Sequence, residues 1–269
     1  MIIDGIQCTK EKNYCLFIVE EFSEQLKEIV RKYMASICYG DAYVNTGSKI
    51  YSYKNTIKEF LKRYEEKKVE TQEGMIGELL IHILINQYFD EYDVITPFFN
   101  MEERSIKKGY DVVLTEKNRA EIWLIEVKSG RLRKNKNANQ TMLALLNTAK
   151  NDLKTRLNDE NLSLWQEAIN GAKLAYDANT NMKSAVVELL TKYGEDAVEG
   201  INDSKTKNVF VAGVLFQNLN DKVENRIPKS KQRKIEEENI FNKVYAISLQ
   251  KETYQKVYKF IKEEADGKR

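Results

Sequence analysis

Four ionisable side chains have the types and spacing needed for hydrolytic chemistry: Glu78, Asp111, Glu126 and Lys128. Carboxylate oxygens are preferred ligands of Mg²⁺, and a bound divalent cation acts as a Lewis acid and lowers the pKa of a bound water. A lysine beside the carboxylates can position that water or offset charge on the transition state. Three acids and a lysine therefore suit phosphodiester hydrolysis, which needs no histidine.

Glu126 and Lys128 differ in context from the other acid-x-Lys triplets of this chain. Such triplets begin at Glu65, Glu66, Glu126, Asp152, Asp203 and Asp266. Only the one at Glu126 closes a run of large apolar residues that is typical of a buried strand. The alternative is an edge strand on which the two residues form a solvated ion pair of little energetic value. The triplet alone leaves both interpretations open.

The elements around this triplet predict how the acids are positioned. Strands are expected over 92–98, 110–114 and 120–130, and their short connections favour an antiparallel meander. In an antiparallel pair the start of one strand lies beside the end of the next, so Asp111 and Glu126 are expected to converge. Strand alternation puts Glu126 and Lys128 on one face.

The segment 74–89 is apolar on nearly all sides and predicts a buried helix. Glu78 and His82 are four residues apart on it and share a face. An acid inside such a helix needs a partner, and His82 favours a core or supporting role over a catalytic one. His82 is the single histidine of the chain, which excludes multi-histidine zinc sites.

Apolar patterning outside this region predicts further strands and helices. Strands are expected at 14–19, 208–216 and 244–249, and helices at 22–37, 55–68, 138–157, within 162–200 and at 252–264. After the Glu126 strand, four basic residues follow closely: Arg131, Arg133, Lys134 and Lys136. A second basic stretch, 226–234, is expected to be a solvated loop.

Composition restricts the class of protein. The chain has 269 residues, 42% of them hydrophobic and 31% charged, which indicates a globular protein. Its net charge of +2 means that nucleic acid must be held by a local patch. Three cysteines without C-x-x-C spacing and no membrane-length apolar stretch predict a soluble, cytoplasmic protein with reduced thiols.

The motifs Gly-Tyr-Asp at 109–111 and Ile-Glu-Val-Lys at 125–128, preceded by Glu78, resemble the PD-(D/E)xK nuclease superfamily, with Tyr110 at the place of the proline. The resemblance implies a mixed α/β (α+β) fold, with a restriction-endonuclease-like core of a central mixed sheet flanked by helices. Residues 1–70 would form an N-terminal α/β elaboration on that core. Residues 71–269 would form the nuclease domain, with a helical insertion at about 160–203.

The same resemblance implies the roles of the site residues. Asp111 and Glu126 would ligate Mg²⁺, or alternatively Mn²⁺, with help from Glu78, and Lys128 would activate water. No small-molecule cofactor is expected. The basic residues after the strand would grip DNA phosphates, although a solvated charged loop is an equally open interpretation. These residues are Arg131, Arg133, Lys134 and Lys136.

More narrowly, Gly-Met-Ile-Gly-Glu at 74–78 together with the two motifs is similar to the HamA family, the nuclease subunits of the bacterial Hachiman anti-phage defence system. That similarity implies a Mg²⁺-dependent deoxyribonuclease with a HamB-like helicase partner. One alternative is a non-catalytic subunit with the nuclease fold that binds DNA or a helicase. Another is a two-carboxylate glycosidase, although Lys128 and the basic stretches fit phosphate better.

Overall fold

The computed structural model describes residues 3–99, 109–117, 119, 121–175 and 181–267. Within them a seven-stranded mixed sheet has the order β1-β2-β7-β6-β5-β4-β3. The strands are β1 (Ile6–Lys10), β2 (Tyr14–Val19), β3 (Tyr92–Val94), β4 (Val112–Glu116), β5 (Ile122–Arg131), β6 (Asn208–Phe216) and β7 (Lys243–Lys251). Strands β2, β7, β6 and β5 are parallel, whereas β1, β4 and β3 each pair antiparallel with their neighbours.

Helices cover both faces of this sheet. They are α1 (Glu24–Tyr39), α2 (Asp41–Val44), α3 (Tyr53–Glu65), α4 (Val69–Tyr88), α5 (Ala138–Leu157), α6 (Leu162–Ala175), α7 (Asn181–Val198), α8 (Arg226–Glu237) and α9 (Gln255–Ala265). Residues of α1, α3, α4 and α9 form one core with the sheet, on what we call the α4 face. Residues of α5 to α8 form the other, on the α5 face. The predicted mixed α/β fold is confirmed.

The central strands are apolar on both sides because helices cover both faces. Every residue of β6 is buried. Along β5, Trp123, Ile125 and Val127 belong to the α4-face core, whereas Ile122 and Leu124 belong to the α5-face core. Because strand side chains alternate, the polar end of β5 is also divided between the two faces.

Helices approach the middle of the sheet closely on both faces. A Cβ added at Gly77 of α4 would lie 1.9 Å from Ser129 Oγ of β5. A Cβ added at Gly213 of β6 would lie 2.6 Å from Met142 Sδ of α5. Both glycines therefore let a helix and a strand pack at a distance that a side chain would prevent.

The structure corrects several predicted boundaries. The buried helix begins at Val69 rather than at residue 74, and the strand predicted at 92–98 is shorter, ending at Val94. The predicted loop at 226–234 is wrong, because this stretch lies in α8. Ile227 and Ile235, eight residues apart, both pack into the α5-face core, and this burial stabilises a helix whose outer side is charged. The predicted polar loop at 100–108 lies outside the described residues.

The predicted division of the chain at residue 70 stays a prediction. β1 and β2 extend the same sheet as the rest of the chain, since β2 pairs with β7, and α4 crosses the predicted boundary. Helices α6 and α7 occupy the predicted insertion, and their buried residues join the α5-face core. No helix within the described ranges is long and apolar enough to span a membrane.

Candidate active site

Asp111, the residue before β4, lies beside Glu126 of the adjacent strand β5. Val112 of β4 is opposite Ile125 of β5, so the antiparallel register places Asp111, the residue before β4, opposite Glu126. The backbone N–H of Val127 donates a hydrogen bond of 2.7 Å to Asp111 Oδ2. This bond fixes the Asp111 carboxylate against the strand that carries Glu126.

Glu126 is a fully buried carboxylate. Its Oε1 accepts from Lys128 Nζ at 2.7 Å and its Oε2 from Arg156 Nη1 at 3.0 Å. Burial and the charge of Asp111 nevertheless raise the pKa of Glu126 to about 7, although Lys128 and Arg156 act in the opposite direction. The negative charges of Asp111 and Glu126 repel each other, and a cation bound near both would relieve this repulsion.

Lys128 is held between two carboxylates. Its Nζ lies 2.7 Å from Glu126 Oε1 and 2.7 Å from Asp152 Oδ2. Burial lowers the pKa of Lys128, but Glu126 and Asp152 raise it by more, so the net pKa lies above its ordinary value. The side chain therefore acts as a cation. The edge-strand interpretation is wrong, because β5 lies between β4 and β6 and Glu126 is inaccessible to solvent.

Two further contributors, Asp152 and Arg156 of α5, were not predicted from the sequence. They are four residues apart and share the face of the helix that meets the β5 charges. Arg156 Nη1 also donates to the Gly109 carbonyl at 3.2 Å, just before Asp111. Their sequence signal was a charged pair at helical spacing, which is also the pattern of ordinary exposed helix surfaces. Only the packing of α5 on β5 shows that this pair belongs to the charged cluster rather than to an exposed helix surface.

Glu78 lies on α4, the helix that covers the other face of the sheet. Its Oε1 is 4.0 Å from Nε2 of the fully buried His82. Within the described ranges, no group of three or more His, Cys, Asp or Glu side chains is arranged to hold a metal ion. The structure thus brings Asp111, Glu126 and Lys128 together, and the role of Glu78 stays a prediction.

The four basic residues predicted to bind DNA occupy two environments. Arg131 is paired with Glu73 of α4, and its Nη2 donates to Tyr254 Oη at 3.3 Å. The other three lie in the exposed connection between β5 and α5, and within the described part of the chain their side chains form no ion pair. These are Arg133, Lys134 and Lys136.

The cluster fits a hard divalent cation. Asp111, Glu126 and Asp152 carry three negative charges and Lys128 and Arg156 two positive ones, which gives a net charge of −1 when all are ionised. Mg²⁺ is commonly bound through only one or two carboxylates, with water and substrate phosphates as the other ligands. Asp111 and Glu126 are oxygen donors of that kind.

Comparison with known families shows to which family the chain belongs. A model of the HamA family matches residues 3–265, nearly the whole chain. The chain belongs to the HamA family. This membership confirms the narrower resemblance in the motifs and supports a role in anti-phage defence. The HamA match spans all the residues of the charged cluster, and no curated protein matches the sequence.

Proposed function

We propose that this HamA-family chain is a metal-dependent nuclease that hydrolyses DNA phosphodiester bonds, as the effector of an anti-phage defence complex with a helicase. The observation that carries the proposal is the buried Glu126 carboxylate, set beside Asp111 and bonded to Lys128 and Arg156 on an interior strand. Burying a charge is costly, and strongly perturbed ionisable groups cluster at functional sites.

Asp111 and Glu126 would hold the cation, Mg²⁺ or alternatively Mn²⁺. When bound, it would supply Lewis-acid polarisation of the scissile phosphate and a water of lowered pKa. A divalent cation changes the net charge of the cluster from −1 to +1, which matches the single negative charge of a phosphodiester. Asp111 and Glu126, which repel each other without the cation, would both be stabilised by its charge.

The protein side chains would divide the remaining tasks. Lys128, charged and partly exposed, would orient the attacking water or stabilise charge on the phosphorane-like transition state. Arg156 would hold the Glu126 carboxylate and the Gly109 carbonyl in fixed relation. The exposed Arg133, Lys134 and Lys136 would contact phosphates without reading the base sequence.

The test is cleavage of plasmid DNA and of RNA by the isolated chain and with a helicase partner, with Mg²⁺ and with EDTA. We expect Mg²⁺-dependent DNA cleavage that falls on the order of 10²- to 10³-fold in Glu126→Gln. Glu121→Gln is the matched control, because Glu121 precedes the same strand but pairs at the surface with Lys243. Hydrolysis unaffected by EDTA, or full activity in folded Glu126→Gln, would refute this assignment.

A second candidate is a non-catalytic subunit that uses the same fold to bind DNA or a helicase. It is favoured by one observation: both oxygens of Glu126 are already bonded to cationic side chains. This alternative predicts a stable complex with DNA or helicase and no cleavage with any divalent metal. Loss of cleavage in Glu126→Gln without loss of binding would exclude it.

A further inference from the structure

We propose that Asp152 is a positioning residue that orients Lys128, and this inference rests on the proposed nuclease function. The side chain of Asp152 reaches from α5 to β5 and lies 2.7 Å from Lys128 Nζ through Oδ2. This is its one ion pair within the described ranges of the chain. None of the sequence motifs includes Asp152 as part of a site.

Lys128 needs a second anchor because of its chemistry. An ammonium group has three N–H donors on a flexible four-carbon chain. Lys128 Nζ donates a hydrogen bond to Glu126 Oε1 and forms an ion pair with Asp152 Oδ2, both at 2.7 Å. Contacts with two carboxylates restrict where the ammonium group can lie, and the side chain is 25% exposed, so an N–H still faces the open side. That donor is available to a phosphate oxygen or to the attacking water.

Asp152 also limits how strongly Lys128 competes with the proposed cation for the Glu126 carboxylate. Without Asp152, the ammonium would pair more fully with Glu126, in competition with the proposed cation. A second anion divides the ammonium between two carboxylates. Asp152 lies in the C-terminal half of α5, beside Ala149 and Leu153, which are fully buried.

Arg156, one helical turn further along α5, has a different task. It bonds Glu126 Oε2 and the Gly109 carbonyl rather than Lys128. Helix α5 therefore presents an anion to the strand lysine and a cation to the strand glutamate. The two strand residues of Glu-x-Lys each receive one partner of opposite charge from the same helix.

The experiment compares Asp152→Asn with Asp159→Asn, which removes the same charge from an exposed position just beyond α5. In steady-state cleavage of DNA with saturating Mg²⁺, we expect Asp152→Asn to lower kcat by about 10- to 100-fold, as for a lost bond to a charged group. KM for DNA should stay within about three-fold, since the contact acts on the ammonium and not on DNA binding. Asp152→Glu should recover part of kcat, and Asp159→Asn should match the wild type.

A double-mutant cycle separates positioning from a general structural role. If Asp152 acts through Lys128, then adding Asp152→Asn to Lys128→Met should cause no further loss of kcat. Additive losses, or an Asp152→Asn variant as active as the wild type, would overturn the inference while leaving the nuclease intact. A wild-type chain that cleaves nothing would instead overturn the proposed function.

Discussion

The two faces of β5 differ in whether buried charge lies on them. On the α5 face, Glu126 is buried and Lys128 is mostly buried, and both are bonded to side chains of one helix. On the α4 face, Val127 packs into an apolar core and Ser129 packs closely against Gly77 of α4. The charged residue of β5 on that face is Arg131, at the end of the strand, which pairs with Glu73.

The difference shows how burial separates a candidate site from an ordinary ion pair. The Arg131 side chain is 56% exposed, so solvent screens its end of the pair, although the Glu73 side chain is only 8% exposed. The Glu126 side chain is 1% exposed and cannot rely on water. Removing a single partner from such a buried group leaves an uncompensated charge, which is strongly destabilising.

The largest effect expected on the α4 face is steric. Gly77→Ala should lower the free energy of unfolding by about 1–3 kcal/mol, because the new methyl group would overlap Ser129. Chemical denaturation with urea measures the change. Gly74→Ala is the matched control: it lies in the same helix with no atom within 4 Å of the added Cβ, so it should stabilise the protein by roughly 0.5–1 kcal/mol.

The partner of that methyl group can be removed as well. In a Ser129→Ala background, the cost of Gly77→Ala should shrink, because the Oγ atom at 1.9 Å is gone. An unchanged cost would mean that the contact does not limit the packing of α4 on β5. If Gly77→Ala abolished cleavage while the protein remained stable, the separation of packing from chemistry on the two faces would be refuted.

A smaller effect is expected at Lys251, which also lies on the α4 face. It is 1% exposed, its Nζ is 5.7 Å from the Phe22 ring, and no carboxylate pairs with it within the described ranges. Burial and the charge of Lys256 lower its pKa to about 8. Lys251→Met should raise the free energy of unfolding at pH 7 by about 1–2 kcal/mol, because a buried unpaired ammonium is removed.

The pH dependence of this gain has a defined sign. Between about pH 8 and 10.5 the unfolded chain holds a proton on Lys251 that the folded protein has lost, so the wild type gains stability as pH rises. The advantage of Lys251→Met should therefore be largest below pH 8 and shrink toward pH 10.5. Urea unfolding at pH 7, 9 and 10 tests this, and a gain that is constant with pH would contradict a charge origin.

The smallest effect concerns the basic residues at the end of β5. Replacing Arg133, Lys134 and Lys136 by alanine should weaken DNA binding and reduce its salt dependence, because three exposed cations are lost. Arg131→Ala should change the salt slope less, since Glu73 already compensates its charge. Fluorescence anisotropy over a salt series measures both. Equal slopes per charge removed would show that the Glu73 pair opens when DNA binds.

Local sequence patterns were sufficient to predict much of the fold. The spans predicted for α5 and β6 agree with the structure, because an apolar stripe or an unbroken apolar run depends on neighbouring residues alone. The loop predicted at 226–234 was wrong, because the basic composition outweighed the helical spacing of Ile227 and Ile235. Arg131 was grouped with the other basic residues, although strand alternation directs it to the opposite face from Glu126.

The sequence by itself determined that Glu126 and Lys128 share a face and that a meander brings Asp111 beside them, because both follow from strand geometry and short connections. Only the tertiary structure decided which helix covers that face. Asp152 and Arg156 join the cluster because α5 packs across β5, a contact between residues about 24 to 30 positions apart that no local period encodes. Packing likewise decided that α4, the helix that carries Glu78, covers the other face.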